Sequence, residues 1–568
     1  MSEAKIKPIQ ISGIKKKKDW LPYFVGGLTI FILLFFLLYP IFTTVLSSFI
    51  KKGDQLKIGN LTLYNFRQFI ESRSYRDALL HSLVVSFITT SCAILLALPA
   101  AYCVSRIKMP FRNFIVSLSV IPIISPPFIM AYSWVTLLGN KGIITYLLNS
   151  WFGVTLPSIY GLFGIVIALS LHYFPYVFLI VQGALTASDP YIEESALVMG
   201  ARRWRILRTI TFPLVIPAIG AGAMIVFVKS LGNFGVPAIL GGEYYVLSTF
   251  IYFQVQGFFN LNAASAISIC NVLLTLVAIL ILNRINRKRG FVSVTTGTRR
   301  SRLITGMGSK IFANIYVWGL LFIALLPQIV VIFTSFAEKW SASLLPTKYG
   351  LGNYIRLFSA GTTPISNSLF LAASATLICL IFGTLTAYTS TKKKFYGKWA
   401  LDLAIMLPFV LPGIVTGVAF LTTFNSGPVV LTGTAAIIIM AYFVRRMVYI
   451  FRAVSASVAQ VDPKMEEAST ICGATWGTTM RKVTIPLIAP GIVAGGILVF
   501  STLITEMSTT IMIYSAKWKN IAVAIFERLT GEEYLEANAF GAIAIMITLI
   551  LVFVSSKLLG KSMAEMFR

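Results

Sequence analysis

Four ionisable residues stand inside long apolar runs: Lys229, Arg445, Arg446 and Glu506, with the amide of Asn233 close to the first. A charge at such a position costs about 2.5 to 3.5 kcal/mol on insertion scales and so points to a function. Counted from the outer ends of their runs, Arg445 and Glu506 reach comparable depths. They are expected to face the interior as a pathway or gating pair, and a purely structural ion pair fits the same placement. Covalent chemistry has little to work with. The chain holds two histidines, His81 and His172, and contains neither an H-E-x-x-H nor a G-x-S-x-G motif. Its five cysteines include no C-x-x-C pair, which argues against a zinc site or a disulfide framework. The acidic residues Asp54, Glu243, Glu338, Glu532, Glu533 and Glu536 are scattered, and hard oxygen ligands for a metal do not gather.

The elements that carry these residues are read from composition. Of 568 residues 57% are hydrophobic and 12% charged, well away from the roughly 25% charged of soluble domains. The bilayer is the expected solvent. Apolar runs bounded by charges or turn residues predict an all-α polytopic protein with twelve crossings, near 21–50, 78–105, 114–138, 158–185, 213–240, 264–282, 311–336, 367–390, 400–424, 433–453, 486–514 and 537–554. The first is too long for a signal peptide and no small-residue cleavage site follows it, so it is read as a retained span. The net charge of +28 could suggest nucleic acid, and its placement excludes that reading. Lys15 to Lys18, Arg202, Arg203, Arg205, Arg208, the linker arginines, Lys392 to Lys394, Arg481 and Lys482 all fall on one side, whereas the loops 241–263 and 425–432 have no Lys or Arg. Such bias marks the cytosolic face and puts both termini there.

The chain repeats itself. Asp189-Pro190 matches Asp462-Pro463, Glu193-Glu194 matches Glu466-Glu467, and Pro213 and Pro217 match Pro486 and Pro490, all offset by 273 residues. Ser82, Tyr102, Pro122 and Pro126 match Ser368, Tyr388, Pro408 and Pro412 at an offset of 286. The difference of thirteen fits the outer loop 141–157, reduced to a short turn at 425–428. Six spans separate equivalent elements, so the halves 1–290 and 311–568 enter the membrane in the same direction, with a central pathway between them and a basic linker at 291–310.

Each half inserts a polar segment, 189–212 and 462–485, between its fourth and fifth spans. Paired glutamates suit the positive end of a helix, a glycine permits a tight turn, and a proline opens the next span. The result is a helical hairpin lying beside the membrane.

These blocks, Glu193-Glu194-Ser195-Ala196 with Gly200-Ala201 and Glu466-Glu467-Ala468-Ser469 with Gly473-Ala474, resemble the EAA motif of type I ABC importer permeases. Their endings, Ile210-Thr211-Phe212-Pro213 and Val483-Thr484-Ile485-Pro486, follow the family pattern apart from Phe212 and Ile485, where leucine is usual. The resemblance covers both halves. It implies that the segments are coupling helices docking on two copies of a cytosolic ATPase, which would hold the ATP and magnesium. The chain itself has no G-x-x-x-x-G-K-[ST] phosphate loop and is expected to bind no cofactor and to perform no catalysis. The stretches 231–242, 247–252 and 502–511 resemble ferric-iron permeases, implying a bacterial cytoplasmic membrane location and an extracytoplasmic binding protein that recognises the cargo. Thiamine, polyamine and anion permeases share parts of these stretches. A secondary transporter is the rival class, and it leaves the duplicated hairpins unexplained.

Overall fold

The computed structural model describes residues 21–54, 57–140, 142–288, 306–340, 345–393 and 395–559. The polybasic lead at 15–18, linker residues 291–305, Lys394 and the tail beyond 559 lie outside the described residues. What remains is mostly helical, with a small antiparallel pairing of Ala337–Lys339 with Lys348–Tyr349 and an isolated antiparallel bridge between Ile50 and Leu61.

Among the described residues nine helices are long and apolar enough to cross a bilayer: Tyr23–Ser48, Arg73–Arg106, Leu162–Ala187, Arg203–Leu231, Leu261–Arg284, Met307–Ser335, Thr363–Lys392, Trp476–Ile504 and Tyr534–Val554. Two further expected crossings are bent pairs, Arg112–Ile124 with Pro127–Phe152 at 95° and Lys398–Pro408 with Gly413–Phe424 at 104°. The twelfth, expected at 433–453, is the helix Ala435–Gln460, whose length suffices but which carries Arg445, Arg446 and Arg452. The bends have a local cause. Proline disfavours α conformation in the residue before it, and Ser125 and Leu411, preceding Pro126 and Pro412, are extended.

The expected continuous spans 213–240 and 486–514 are corrected by the structure. The first helix ends at Leu231 and the second at Ile504, and after each break a short helix follows, Gly235–Leu240 and Thr510–Ile513. Beyond these come Leu247–Gln256, inside what reads as an outer loop, and Ile521–Thr530, both largely buried. Ser82 accepts from the Leu247 amide at 2.8 Å and Ser368 from the Ile521 amide at 2.7 Å. The same serine of each half thus holds the start of the same returning helix. The helix Ile143–Phe152 falls in the longer first-half loop and accounts for the change of offset. The expected linker end at 310 moves back, because the sixth of the long helices already begins at Met307.

The halves exchange their first helices. Tyr23–Ser48 packs on Thr363–Lys392 and Gly413–Phe424 of the second half, with Thr29 and Thr386 hydroxyls 3.0 Å apart and Phe35 against Phe424. Met307–Ser335 packs on Arg73–Arg106 and Pro127–Leu138 of the first half, where the Tyr316 hydroxyl donates to the Leu96 carbonyl at 3.0 Å. After each of these helices an amphipathic helix, Tyr64–Glu71 or Gly352–Ala360, lies outside the bundle. Asn65 fastens one by donating to Ser48 and Ile50 carbonyls, and Asn353 fastens the other on Ser335 and Ala337. The Glu338 carboxylate accepts from the Gly352 amide at 2.8 Å and pairs with Lys348 at 2.7 Å. These two donors hold its pKa below the usual carboxylate value.

Two outcomes test this packing. A Cβ on Gly417 would meet Met512 Cβ at 2.6 Å and the Thr509 carbonyl at 2.8 Å, whereas one on Gly183 meets nothing within 4 Å. Gly417→Val is expected to cost about 1 to 3 kcal/mol through overpacking, and Gly183→Ala to be neutral or to stabilise by roughly 0.5 to 1 kcal/mol. Thermal unfolding in detergent compares them; equal effects would contradict the close approach at Gly417. A carboxylate with a lowered folded pKa stabilises fully above its unfolded value and loses that contribution as pH falls through the folded one. Hydrogen exchange of 352–360, corrected for intrinsic rates, should therefore show constant protection from neutrality to pH 5 and loss below about 4; Glu338→Gln should abolish the pH dependence.

Candidate functional site

All five polar residues singled out within apolar runs line one central cavity of about 520 Å³, to which both halves contribute. The bends at Ser125 and Pro412 and the ends of the broken helices surround it. Glu506 sits at the break after Ile504. Its Oε1 accepts from Arg445 Nη1 at 2.9 Å and from the Thr509 amide at 3.2 Å, and its Oε2 accepts from Arg446 Nη2. Arg445 also donates to the Thr509 hydroxyl at 2.6 Å. The expected pair is therefore a triad, with Arg446 its third member, and Glu506 is 7% exposed. Asn520 donates to the Glu506 carbonyl at 2.9 Å, closing the backbone where the helix stops.

Asn233 occupies the equivalent break. Its Oδ1 accepts from the Val236 amide at 3.0 Å, its Nδ2 donates to the Tyr173 hydroxyl at 2.9 Å, and its carbonyl accepts from Ser248 at 2.7 Å. The offset of 273 relates Asn233 to Glu506, Tyr173 to Arg446, His172 to Arg445 and Tyr176 to Tyr449. One set is neutral and the other charged, on the same scaffold. Lys229 stands apart from the triad: its Nζ lies 5.2 Å from the centre of the Tyr176 ring, and no carboxylate pairs with it among the described residues. His172, Tyr173, Tyr176, Tyr449 and Arg452 also line the cavity and were not singled out by sequence. Applying the repeat offset to Arg445 and Arg446 would have found the first two.

The hairpins form as expected, with a difference in what their glutamates do. Asp189 and Asp462 cap the helices Pro190–Val198 and Pro463–Ile471 by accepting from the amides two residues on. Gly200 at φ +84° and Gly473 at φ +85° make the turns, a left-handed conformation in which glycine avoids a Cβ penalty. The first glutamate of each pair points inward. Glu193 accepts from Arg106 Nη2 at 2.9 Å and from Thr211 at 3.0 Å; Glu466 accepts from Thr484 at 2.9 Å and from the Tyr388 hydroxyl at 3.4 Å. Glu193 and Glu466, expected as docking groups, thus tie each hairpin to its spans, and Ala196 is buried. Glu194, Ala201, Ser469 and Ala474 are half-buried, while Ser195, Gly200, Glu467, Ala468 and Gly473 are exposed. The exposed surface carries large apolar side chains, with Val198 at 87%, Met199 at 80%, Trp204 at 72% and Ile471 at 86% exposure, among exposed Arg202, Arg203, Arg205 and Lys464. Short π-helical turns, Leu207–Thr211 and Met480–Thr484, join each hairpin to the next span and carry the threonines that bind the inward glutamates.

A family model described as "Binding-protein-dependent transport system inner membrane component" matches residues 93–290 and again 379–564. The chain belongs to this family. The permease is 29% identical over 95% of its length to the ferric transport system permease protein FbpB of Actinobacillus pleuropneumoniae, covering 78% of that protein. It is 31% identical to the putative ferric transport system permease protein FbpB 1 of Haemophilus influenzae over 86% of its own length and 77% of the relative's. A solved bacterial transporter of the polysaccharide alginate is 23% identical, aligning 48% of this chain with 96% of its own at a TM-score of 0.40. The permease is thus a multi-pass transport subunit containing the family's unit twice.

Removing one member of a buried ion set leaves the other charges uncompensated, at a cost of about 3 to 5 kcal/mol. Glu506→Gln should destabilise the permease by that order, and adding Arg446→Gln should recover part of the loss. Unfolding in detergent measures both, and a Glu506→Gln variant as stable as the parent would contradict the triad.

Proposed function

We propose that this permease forms the conducting path of an ATP-driven importer, which takes ferric iron from an extracytoplasmic binding protein and releases it into the cytoplasm. Two ATPase copies dock on the two hairpins, bind the ATP and magnesium, and supply the work; the permease carries no cofactor, and both of its termini face the cytosol. The observation that carries this reading is the pair of hairpins, each with exposed large apolar side chains and an inward glutamate. Val198, Met199, Trp204 and Ile471 expose surface that favours a protein partner over water. The inward bonds lead from the docking surface to the spans. Glu193 reaches the helix Arg73–Arg106 through Arg106 and the next span through Thr211, and Glu466 does the same through Tyr388 and Thr484. Closure of the ATPase pair on ATP would move the spans and alternate access to the cavity. Iron as the cargo is supported by the two ferric relatives, which align with most of the chain, and by the resemblance of 231–242 and 502–511.

Proteoliposomes containing the permease, its ATPase and its binding protein should accumulate ⁵⁵Fe only with ATP at the hairpin face. Val198→Asp with Ile471→Asp should abolish uptake without lowering the melting temperature of the isolated permease. The exposed Cys472 should cross-link to the ATPase. Uptake driven by a proton gradient with no ATPase present would overturn the reading.

A further inference from the structure

The cavity lining is strongly one-sided in charge. Lys229, Arg445, Arg446 and Arg452 face it against the single carboxylate of Glu506. That carboxylate is already bound by two guanidiniums and an amide, so the triad keeps one positive charge. Lys229 contributes another, with the Tyr176 ring beside it and no carboxylate partner among the described residues. Arg452 adds a third, seven residues along the same helix from Arg445, or about 10 Å at 1.5 Å per residue, towards the hairpins. The architecture does not require these charges, since Asn233 and Tyr173 close the equivalent break with a neutral hydrogen bond. A bare trivalent cation would be repelled throughout such a cavity, because charges interact more strongly between low-dielectric walls than in water.

We propose that the cavity is an oxyanion site, built for a carboxylate- or phosphate-type anion that enters free or as the shell of a ferric chelate, with Lys229 as its principal ligand. This rests on the reading of the cavity as the cargo path. The site needs no ordered donor set beyond what is present. Lys229 supplies three N–H donors on a flexible stem from the first half, and Ser501, Thr502 and Ser508 of the second half line the same cavity. The cargo's negative charge then replaces the carboxylate that Lys229 lacks. Passage remains possible because only part of the lining's charge is answered by any one anion.

The test uses the full chain in lipid nanodiscs without partners. Equilibrium binding is measured for ³²P-orthophosphate and for ¹⁴C-citrate, the latter with and without equimolar ⁵⁵Fe³⁺. At least one probe should bind saturably at one site per chain, weaken at least tenfold in Lys229→Gln, and be retained in Lys229→Arg. The arginine variant shows that charge, and not a folding defect, is responsible. Equal retention of ⁵⁵Fe and ¹⁴C identifies the chelate, and anion alone identifies the free form; both support the site. Absence of binding by either probe, or binding that Lys229→Gln leaves unchanged, overturns it. The iron-import reading stands or falls separately, on ATP-dependent ⁵⁵Fe uptake by the reconstituted complex, which can succeed while this binding fails.

Discussion

A helix interrupted within the bilayer leaves amides and carbonyls without partners, and hydrocarbon offers none. Each unsatisfied group costs several kcal/mol, so every break here has to be closed by side chains. At the fifth span of each half one residue does most of this. Asn233 and Glu506 each accept from the amide three residues on, while Ser248 and Asn520 return a hydrogen bond to their carbonyls. The returning helices are tied to this closure, as Ser248 lies in the first turn of one and Asn520 caps the other, and both helices are pinned by Ser82 and Ser368. Without the breaks, the spans would run straight through and the cavity between the halves would lose its upper wall.

Duplication then allows the two halves to share this geometry while differing in chemistry. The two breaks have the same backbone plan, yet one is served by an amide and a phenol and the other by a carboxylate and two guanidiniums. The hairpins show the same freedom: Glu193 is held by Arg106, Glu466 by the Tyr388 hydroxyl, and the threonines Thr211 and Thr484 are shared. The threonine bond and the capping aspartate recur in both hairpins and define the element; the second partner varies.

Much of this was legible in the sequence, for identifiable reasons. Apolar run length, the basic bias and the paired offsets of 273 and 286 are long-range regularities, and they located the spans, the repeat and both hairpins. The intramembrane charges were legible because apolar surroundings make them conspicuous. Hydropathy could not separate a crossing from a helix that stops and turns within the membrane, since Gly235–Leu240 is as apolar as the span before it. Pro126 and Pro412 were visible as repeat markers, but the size of a bend depends on what packs against it. The inward turn of Glu193 and Glu466 was hidden because their partners, Arg106 and Tyr388, lie more than seventy residues away. His172 and Tyr173 were missed for another reason: a neutral side chain in an apolar run gives no signal until the repeat is applied to its charged counterpart.

The exchange of first helices bears on how such a molecule can move. Rocking of 1–290 against 311–568 as two solid blocks would have to disturb two cross-packed helices, because Tyr23–Ser48 bridges Leu261–Lys288 of its own half and the second half, and Met307–Ser335 bridges Tyr534–Leu559 of its own half and the first. The cohesive unit attached to the first hairpin comprises Arg73–Arg106, Leu162–Ala187 and Arg203–Leu231, which pack on one another. Met307–Ser335 is laid against it through Tyr316 and Leu96. The second hairpin commands the matching set, Thr363–Lys392, Ala435–Gln460 and Trp476–Ile504, with Tyr23–Ser48 laid against it. Each set therefore carries one helix whose chain connection leads to the other. The sets are joined by chain connections as well as by packing. The Glu506 triad joins the second set to the break that follows its last helix, and the Asn233–Tyr173 bond does the same in the first. Neither has to break when the sets separate, so the cavity between them can change shape while the closures of its broken helices stay intact.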